Sequence, residues 1–472
     1  MLLLVLTMVL VAAGGVLLAA RVSRSPAAGK AQLRPKTTST MVSAPPPTTT
    51  LPSSPVWRVA WGSAMAWGYG TATNATVREL ATVAIGGSAV RVRISNVFGN
   101  QPLVIGAATV GLQSTRAGIV AGSLHTIAFN ASPNVTVPVR GVVYSDAIPM
   151  PVSPMQTMAV SLFVRNTDLM TVHPCCTGAT ASYLTANGAG NLTGGLTSSG
   201  YVASSPWGHL LDAVDVLGST GQGSIVVVGD SITDGYHTAV RWTDVLQQRI
   251  DTLAPDERRA VINEAITANT LTAVQPSDAA DGGGPPGVSR LPRDALSQSG
   301  VSEVVVFLGT NDLYFGAKPQ SVIAGLQQVI TMAHQAGVRV IGVTLLPRRP
   351  GDEVWSPVQQ SYLQQVNNWI LTSGSFDSTL DFATAVADVY NGACAPAALL
   401  PAYDSGDHLH PDPAGETAMA NSINTSSLEL PATPNVPPLV AVSLTSGCAG
   451  VPGIPSATSS DSVPTTTTTV GH

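Results

Sequence analysis

The sequence predicts an α/β domain built on a parallel sheet, preceded by a β-sandwich, jelly-roll-like domain. Two contrasting textures carry this reading. From about Pro55 to Ser219, short apolar or alternating runs are separated by Gly, Pro, Asn and Ser, and no long helical period appears. From Ser224 onward, short wholly apolar runs alternate with helical patterns, the signature of a parallel sheet with crossover helices. The expected boundaries are an apolar export signal or anchor at 1–25, a Pro/Thr/Ser-rich linker at 26–55, the β-sandwich at 56–218, the α/β domain at 219–430 and a Pro/Thr-rich tail at 431–472.

Met1 to Ala20 carries no charge, and about 20 apolar residues can span a bilayer. A basic first region is missing, and Leu18-Ala19-Ala20 lacks the small residue a signal cleavage site wants. An anchor, uncleaved or inefficiently cleaved, is therefore favoured, with the protein exported and either secreted or held at the outer face of the envelope. The bases Arg21, Arg24, Lys30 and Arg34 follow the span, which by the positive-inside rule conflicts with export. A start site chosen too late, missing upstream basic residues, would resolve the conflict. Lys36 to Pro55 reads as a spacer, and Ser456 to Val470 as a similar tail after one short strand at Leu439 to Thr445.

In the β region, Thr76 to Ile85 runs into the turn Gly86-Gly87, and Val90-Arg-Val-Arg-Ile-Ser95 alternates as a half-buried strand does. Val110, Ile119, Val135 to Val137, Val142 to Tyr144 and Met158 to Phe163 continue the pattern. Further on, Ile225 to Val228, Val304 to Leu308 and Val338 to Leu345 read as strands buried on both faces. Helices are expected around Ala239 to Leu253, over Pro319 to Ala336 with Gly337 as its stop, and over Pro357 to Leu371.

Composition excludes several classes. Of 472 residues, 44% are hydrophobic and 11% charged, enough to bury a large core. Net charge is −6 and only three bases are lysines (Lys30, Lys36, Lys318), so no basic face for nucleic acid is evident. Cys175, Cys176, Cys394 and Cys448 form an even set that fits an oxidising compartment and allows three pairings. The adjacent pair Cys175-Cys176 is poorly placed to bond to itself, and a bond from Cys448 would tether the tail. No Cys/His metal spacing occurs, so neither metal nor cofactor is expected.

Gly229-Asp-Ser-Ile-Thr-Asp-Gly235 directly follows the first buried strand. Ser231 thus stands at the carboxyl end of a parallel strand, where such sheets bind ligands, close to a helix start whose amides can face an oxyanion. Alone, the motif reads equally well as a strand-to-helix loop with an N-capping serine. Three more pieces accompany it. Gly309-Thr-Asn-Asp312 follows the second buried strand and brings the Asn311 amide to the same edge, though a plain turn explains it too. Asp407-His-Leu-His-Pro411 pairs an acid with a histidine three residues on, which can fix an imidazole tautomer. Ile262-Asn-Glu-Ala-Ile-Thr-Ala-Asn269 lies between.

Together these blocks resemble the SGNH/GDSL hydrolase superfamily: a GDS serine, a Gly block, a GxND block and a DxxH block, in that order, over about 210 residues. Pro401 to Pro411 looks like a subgroup of secreted bacterial esterases, and Val90 to Gly99 like the β domain that precedes their catalytic part. The resemblance implies a three-layer, flavodoxin-like catalytic domain. It implies Ser231 as nucleophile, His410 as base and Asp407 as its orienter. The Ser231 N–H, the Asn311 side chain and an Ala268 N–H would form the oxyanion hole. Where the family has glycine, this chain has Ala265 and Ala268, and alanine resists positive φ.

His408 competes with His410, but the family spacing favours His410. His173 and His209 are read as structural, His237 as an exposed loop residue, and Trp355 and Tyr403 as core or surface residues. The expected activity is hydrolysis of carboxylic esters, short acyl groups on a carbohydrate or lipid, with a small acyl-ester substrate, an envelope glycan or lipid as partner, and the membrane as a further partner through the N-terminal segment if it is uncleaved. An acyltransferase using the same triad, or a silent envelope-tethered binding module, would share most of these features.

Overall fold

A computed structural model describes residues 55–174, 182–203, 207–218, 223–272, 283–349, 354–388 and 398–428. The apolar start, the spacer to residue 54, the tail with its Leu439 to Thr445 run and all four cysteines lie outside the described residues. Among the described residues no helix is long and apolar enough to cross a membrane.

The second half of the chain forms a five-stranded, all-parallel sheet. Its spatial order is Ala260–Asn263, Ser224–Gly229, Val301–Phe307, Arg339–Val343, Ser378–Leu380. In chain order that is 2-1-3-4-5, the arrangement of doubly wound flavodoxin-like sheets, in which the order reverses beside the first strand. The wholly apolar strands are explained by burial on both faces. Val226, Val228, Val304 and Val306 pack with Leu326, Val329, Leu363 and Val366 of the helices Pro319–Gln335 and Pro357–Thr372. The alternate residues Ile225, Val227, Val305 and Phe307 pack with Trp242, Leu246 and Ile250 of the helix Trp242–Ile250, and with Met419 of Pro413–Ser422. The two longest helices begin with proline at the first turn. Pro357–Thr372 adds a capping box between Ser356 and Gln359.

The first half is antiparallel throughout. One sheet orders Val56–Gly62, Leu211–Gly218, Ala89–Ser95 and Val142–Tyr144. A larger one is centred on Ala72–Thr82, Thr157–Thr167 and Leu103–Leu112, and a three-stranded sheet joins Gly208–His209, Met170–His173 and Trp67–Tyr69. Inward residues of the two larger sheets, such as Val92, Ile94, Val214, Val160 and Leu162, share one core.

The two halves are closely joined. The Val59 amide donates to the Ser299 carbonyl at 2.8 Å, and the Ser224 hydroxyl donates to the Val59 carbonyl at 3.0 Å. Val59, Ala84 and Ala213 of the antiparallel region belong to the same apolar cluster as Val226 and Ile262. Gly62 is required by this approach, because a methyl group there would overlap the Glu264 carboxylate.

His209, read from sequence as structural, is buried, with its Nδ1 3.0 Å from the Ser182 hydroxyl. Burial pushes its imidazole down to about 4, against the opposing pull of the Trp207 carbonyl. In the unfolded chain it would titrate at about 6.5. Between those values the unfolded state binds the proton more readily, so acid weakens the fold through this residue, by up to about 3 kcal/mol in total. The His209→Gln variant is expected to lose less melting temperature than the wild type when pH drops from 7 to 5. Parallel loss in both would remove His209 from the account.

Candidate active site

The parallel sheet ends in three loops that meet. Asp230 caps the turn Ser231–Asp234 by accepting the Ile232 amide at 3.1 Å, and Gly235, at a φ of +99°, terminates it. Ser231 therefore occupies the first position of a helical turn, buried at the sheet edge. Burial pushes the Asp230 carboxyl up to about 7, against the Ile232 amide and the charge of Arg348.

The hydroxyl of Ser231 lies 2.8 Å from His410 Nε2, and His410 Nδ1 lies 2.5 Å from Asp407 Oδ2. The other Asp407 oxygen accepts the backbone amides of His410 at 2.8 Å and Leu409 at 3.0 Å. Partial burial would raise the Asp407 carboxyl, but the hydrogen bonds and charge of His410 outweigh it and hold the group far below the usual carboxylate range. An ionised carboxylate on Nδ1 keeps the proton there and leaves Nε2 free to accept one from the serine. His408 is bonded elsewhere: its Nδ1 lies 2.6 Å from Asp404. His237 is exposed, as read from sequence, yet its ring is 5.8 Å from that of His410, and the Tyr236 ring is 5.0 Å away.

Nucleophile and histidine are held in register behind the site. The indole of Trp242 donates to the Thr233 hydroxyl at 3.2 Å, while the Trp242 amide donates to Glu416 at 2.8 Å. Glu416 lies on the helix Pro413–Ser422, which starts just after His410 and is capped by Asp412.

The loop after Ala260–Asn263 runs alongside the serine strand. The Glu264 amide donates to Val227, the Ile266 amide to Gly229, and the Thr267 amide to Asp234 Oδ2. Ala268 follows with a φ of +61°, the left-handed conformation in which glycine is at ease and alanine is not. Among the described residues neither the Ser231 nor the Ala268 amide donates a hydrogen bond. Asn311 Nδ2 donates to the Asn269 carbonyl at 2.9 Å, which uses one of its two protons.

Several residues not singled out from sequence build this loop. Arg290, fully buried, donates to the Gly229 carbonyl at 3.0 Å, to the Glu264 carbonyl at 2.6 Å and to Asn269 Oδ1 at 3.0 Å, and pairs with Asp294 at 3.2 Å. Asp312 accepts the amides of Leu271 at 2.6 Å and Thr272 at 2.9 Å. His173, which sequence left without a partner, bonds the Ala64 carbonyl at 2.7 Å and approaches Asp234 Oδ1 at 3.3 Å, so the antiparallel region touches the serine motif. Ile266 packs against Ala64 and Ala66 from the same side.

A depression of about 220 Å³ opens beside the site, lined by Asn311, Tyr314, Arg348, Trp355, Asp407 and His408. Trp355 is thus both a core residue and part of the wall. Tyr403 packs against the apolar layer on the other side of the sheet. A larger cavity of about 300 Å³, where the two halves meet near His173 and Asp234, reaches neither Ser231 nor His410. Among the described residues no group of three His, Cys, Asp or Glu side chains is placed to hold a metal ion.

Residues 227–418 match the model of the GDSL-like Lipase/Acylhydrolase family. No curated protein matches the chain. Among solved structures, the chain is similar to the aryl esterase of M. smegmatis, with 19% identity over 42% of this chain and 95% of that one and a TM-score of 0.33. It is also similar to Est24, a carbohydrate acetylesterase from Sinorhizobium meliloti, with 18% identity over 42% and 95% and a TM-score of 0.32.

Two substitutions probe the construction of the loop. Ala268→Gly is expected to stabilise the fold by up to about 1 kcal/mol, relief of the left-handed strain being partly offset by the greater freedom of glycine in the unfolded chain. A denaturation midpoint that falls would contradict the strain. Arg290→Met, which strands three acceptors and a buried acid, is expected to cost about 3–5 kcal/mol in urea unfolding; a loss under 1 kcal/mol would show that the loop stands without it.

Proposed function

We propose that the protein is a carboxylic ester hydrolase, a serine esterase working through an acyl-enzyme on Ser231, in keeping with the match of residues 227–418 to the GDSL-like Lipase/Acylhydrolase family model. The observation that carries this reading is the unbroken chain from Ser231 Oγ to His410 Nε2, 2.8 Å, and from His410 Nδ1 to Asp407, 2.5 Å. His410 takes the serine proton as Oγ attacks the ester carbonyl, and returns it to the leaving alcohol oxygen. Water then repeats the sequence in reverse on the acyl-enzyme and releases the acid. Asp407 stabilises the imidazolium formed in between.

The negative charge on the carbonyl oxygen is taken up by the Ser231 and Ala268 amides and by the second proton of Asn311. Supporting this are the unused amides and the fixing of Asn311 on the Asn269 carbonyl, one residue beyond Ala268. Each such donor is worth roughly 3–4 kcal/mol in the transition state.

The substrates proposed are short acyl esters of a carbohydrate or lipid in the cell envelope. The apolar start and the Pro/Thr/Ser-rich spacer support an exported protein, secreted or tethered to the outer face. The antiparallel region is proposed to be a jelly-roll-like sandwich that steadies the oxyanion loop, in line with the packing of Ile266 on Ala64 and Ala66.

Hydrolysis of p-nitrophenyl acetate tests the reading. Ser231→Ala and His410→Ala are each expected to lower kcat by at least about 10³-fold, and Asn311→Ala by about 10²- to 10³-fold with KM little changed. Equal rates in wild type and Ser231→Ala would refute the serine mechanism.

A further inference from the structure

At the edge of the site stands Arg348, a cation with no hydrogen-bonded partner among the described residues. Its residue is only 6% exposed, and its Nε is buried without any hydrogen bond. Among the described residues no hydrogen bond or salt bridge to its guanidinium occurs. The group instead lies over aromatic rings, 4.6 Å from the Trp355 centroid and 5.6 Å from that of Tyr314. Both rings, with Asn311 and Asp407, line the same depression as Arg348.

A buried guanidinium normally satisfies its fork of donors with carboxylates or carbonyls, as Arg290 does in this fold. The carboxylates whose charge acts on Arg348 are Asp230 and Asp407. Neither closes a salt bridge with it: Asp230 caps the serine turn, and Asp407 is bonded to His410. The fork is therefore preorganised by two rings and left for something that enters the depression. A planar pair of oxygens is the chemistry it fits.

We propose that Arg348 anchors an anionic oxygen pair on the substrate, a carboxylate or a phosphate, so that esters carrying a negative charge near the reacting carbonyl are selected over neutral ones. This rests on the serine esterase reading. Arg348 touches the bound substrate away from the reacting atoms and sets specificity, while Ser231 and His410 carry out the chemistry on either class of ester.

The test compares three esters in wild type, Arg348→Lys and Arg348→Gln. Phenyl acetate is neutral, 4-acetoxybenzoate places a carboxylate on the alcohol side, and mono-phenyl succinate places one on the acyl side. In Arg348→Gln, the ratio of kcat/KM for at least one anionic ester to that for phenyl acetate should fall about 10- to 100-fold relative to wild type, with Arg348→Lys between. Inhibition of the wild type by benzoate or by inorganic phosphate, weakened in Arg348→Gln, then tells a carboxylate site from a phosphate site. If all three esters lose rate equally, or the ratios do not move, Arg348 is a counter-charge for Asp230 and Asp407 and the proposal is overturned. Failure of the esterase reading looks different: phenyl acetate would then be turned over equally by wild type and Ser231→Ala.

Discussion

The site depends on one buried guanidinium. Arg290 gathers the end of the serine strand at Gly229, the start of the neighbouring loop at Glu264 and the side chain of Asn269 into a single set of hydrogen bonds. Parallel strands supply no partners for backbone groups beyond their last rung, so two loops leaving adjacent strands need something else to hold them side by side. A planar cation with five donors does this at a depth where water cannot. Its own charge is met by Asp294, which Arg293 also grips, and Arg293 reaches the Met65 carbonyl of the antiparallel region. The acid beside this network, Glu264, is pushed well up by burial and by the charge of Asp294, and accepts a hydrogen bond from Gln298.

Much of this was legible in the sequence where local chemistry decides the outcome. Three strands were visible because burial on both faces demands continuous apolar runs, and the helix Pro319–Gln335 because Pro319 and Gly337 mark its ends. The strands Ala260–Asn263 and Ser378–Leu380 were not visible. They are three or four residues long and lie toward the rims of the sheet, too short to show a period. Ser231, Asp407, His410 and Asn311 were named from block order, and the geometry joins the first three directly. Arg290 was missed because nothing nearby in sequence signals the three loop acceptors it gathers, which lie 21 to 61 residues away.

The substitution of alanine in the second block has a physical resolution. Ala268 takes the left-handed conformation, because the bonds of Thr267 to Asp234 and of Asn311 to Asn269 fix the chain on both sides of it. Strain of this kind persists only where the surroundings over-determine the backbone. The antiparallel region is part of those surroundings, through His173 at Asp234 and Ala64 and Ala66 at Ile266. It is thereby structurally continuous with the α/β half.

The brace from Thr233 through Trp242 to Glu416 keeps serine and histidine aligned from the rear of the domain. The wall of the depression beside the site is attached elsewhere. Tyr314 follows the strand Val301–Phe307, Arg348 follows Arg339–Val343, and Trp355 precedes the helix Pro357–Thr372. Tyr314 shares a helical turn with Asn311, so it is Arg348 and Trp355 that hang on backbone apart from Ser231 and His410. Such a division lets mutation redraw the wall at Trp355 while the brace behind Ser231 and His410 stays as it is, whereas a change at Arg348 is also felt by Asp407 through its charge.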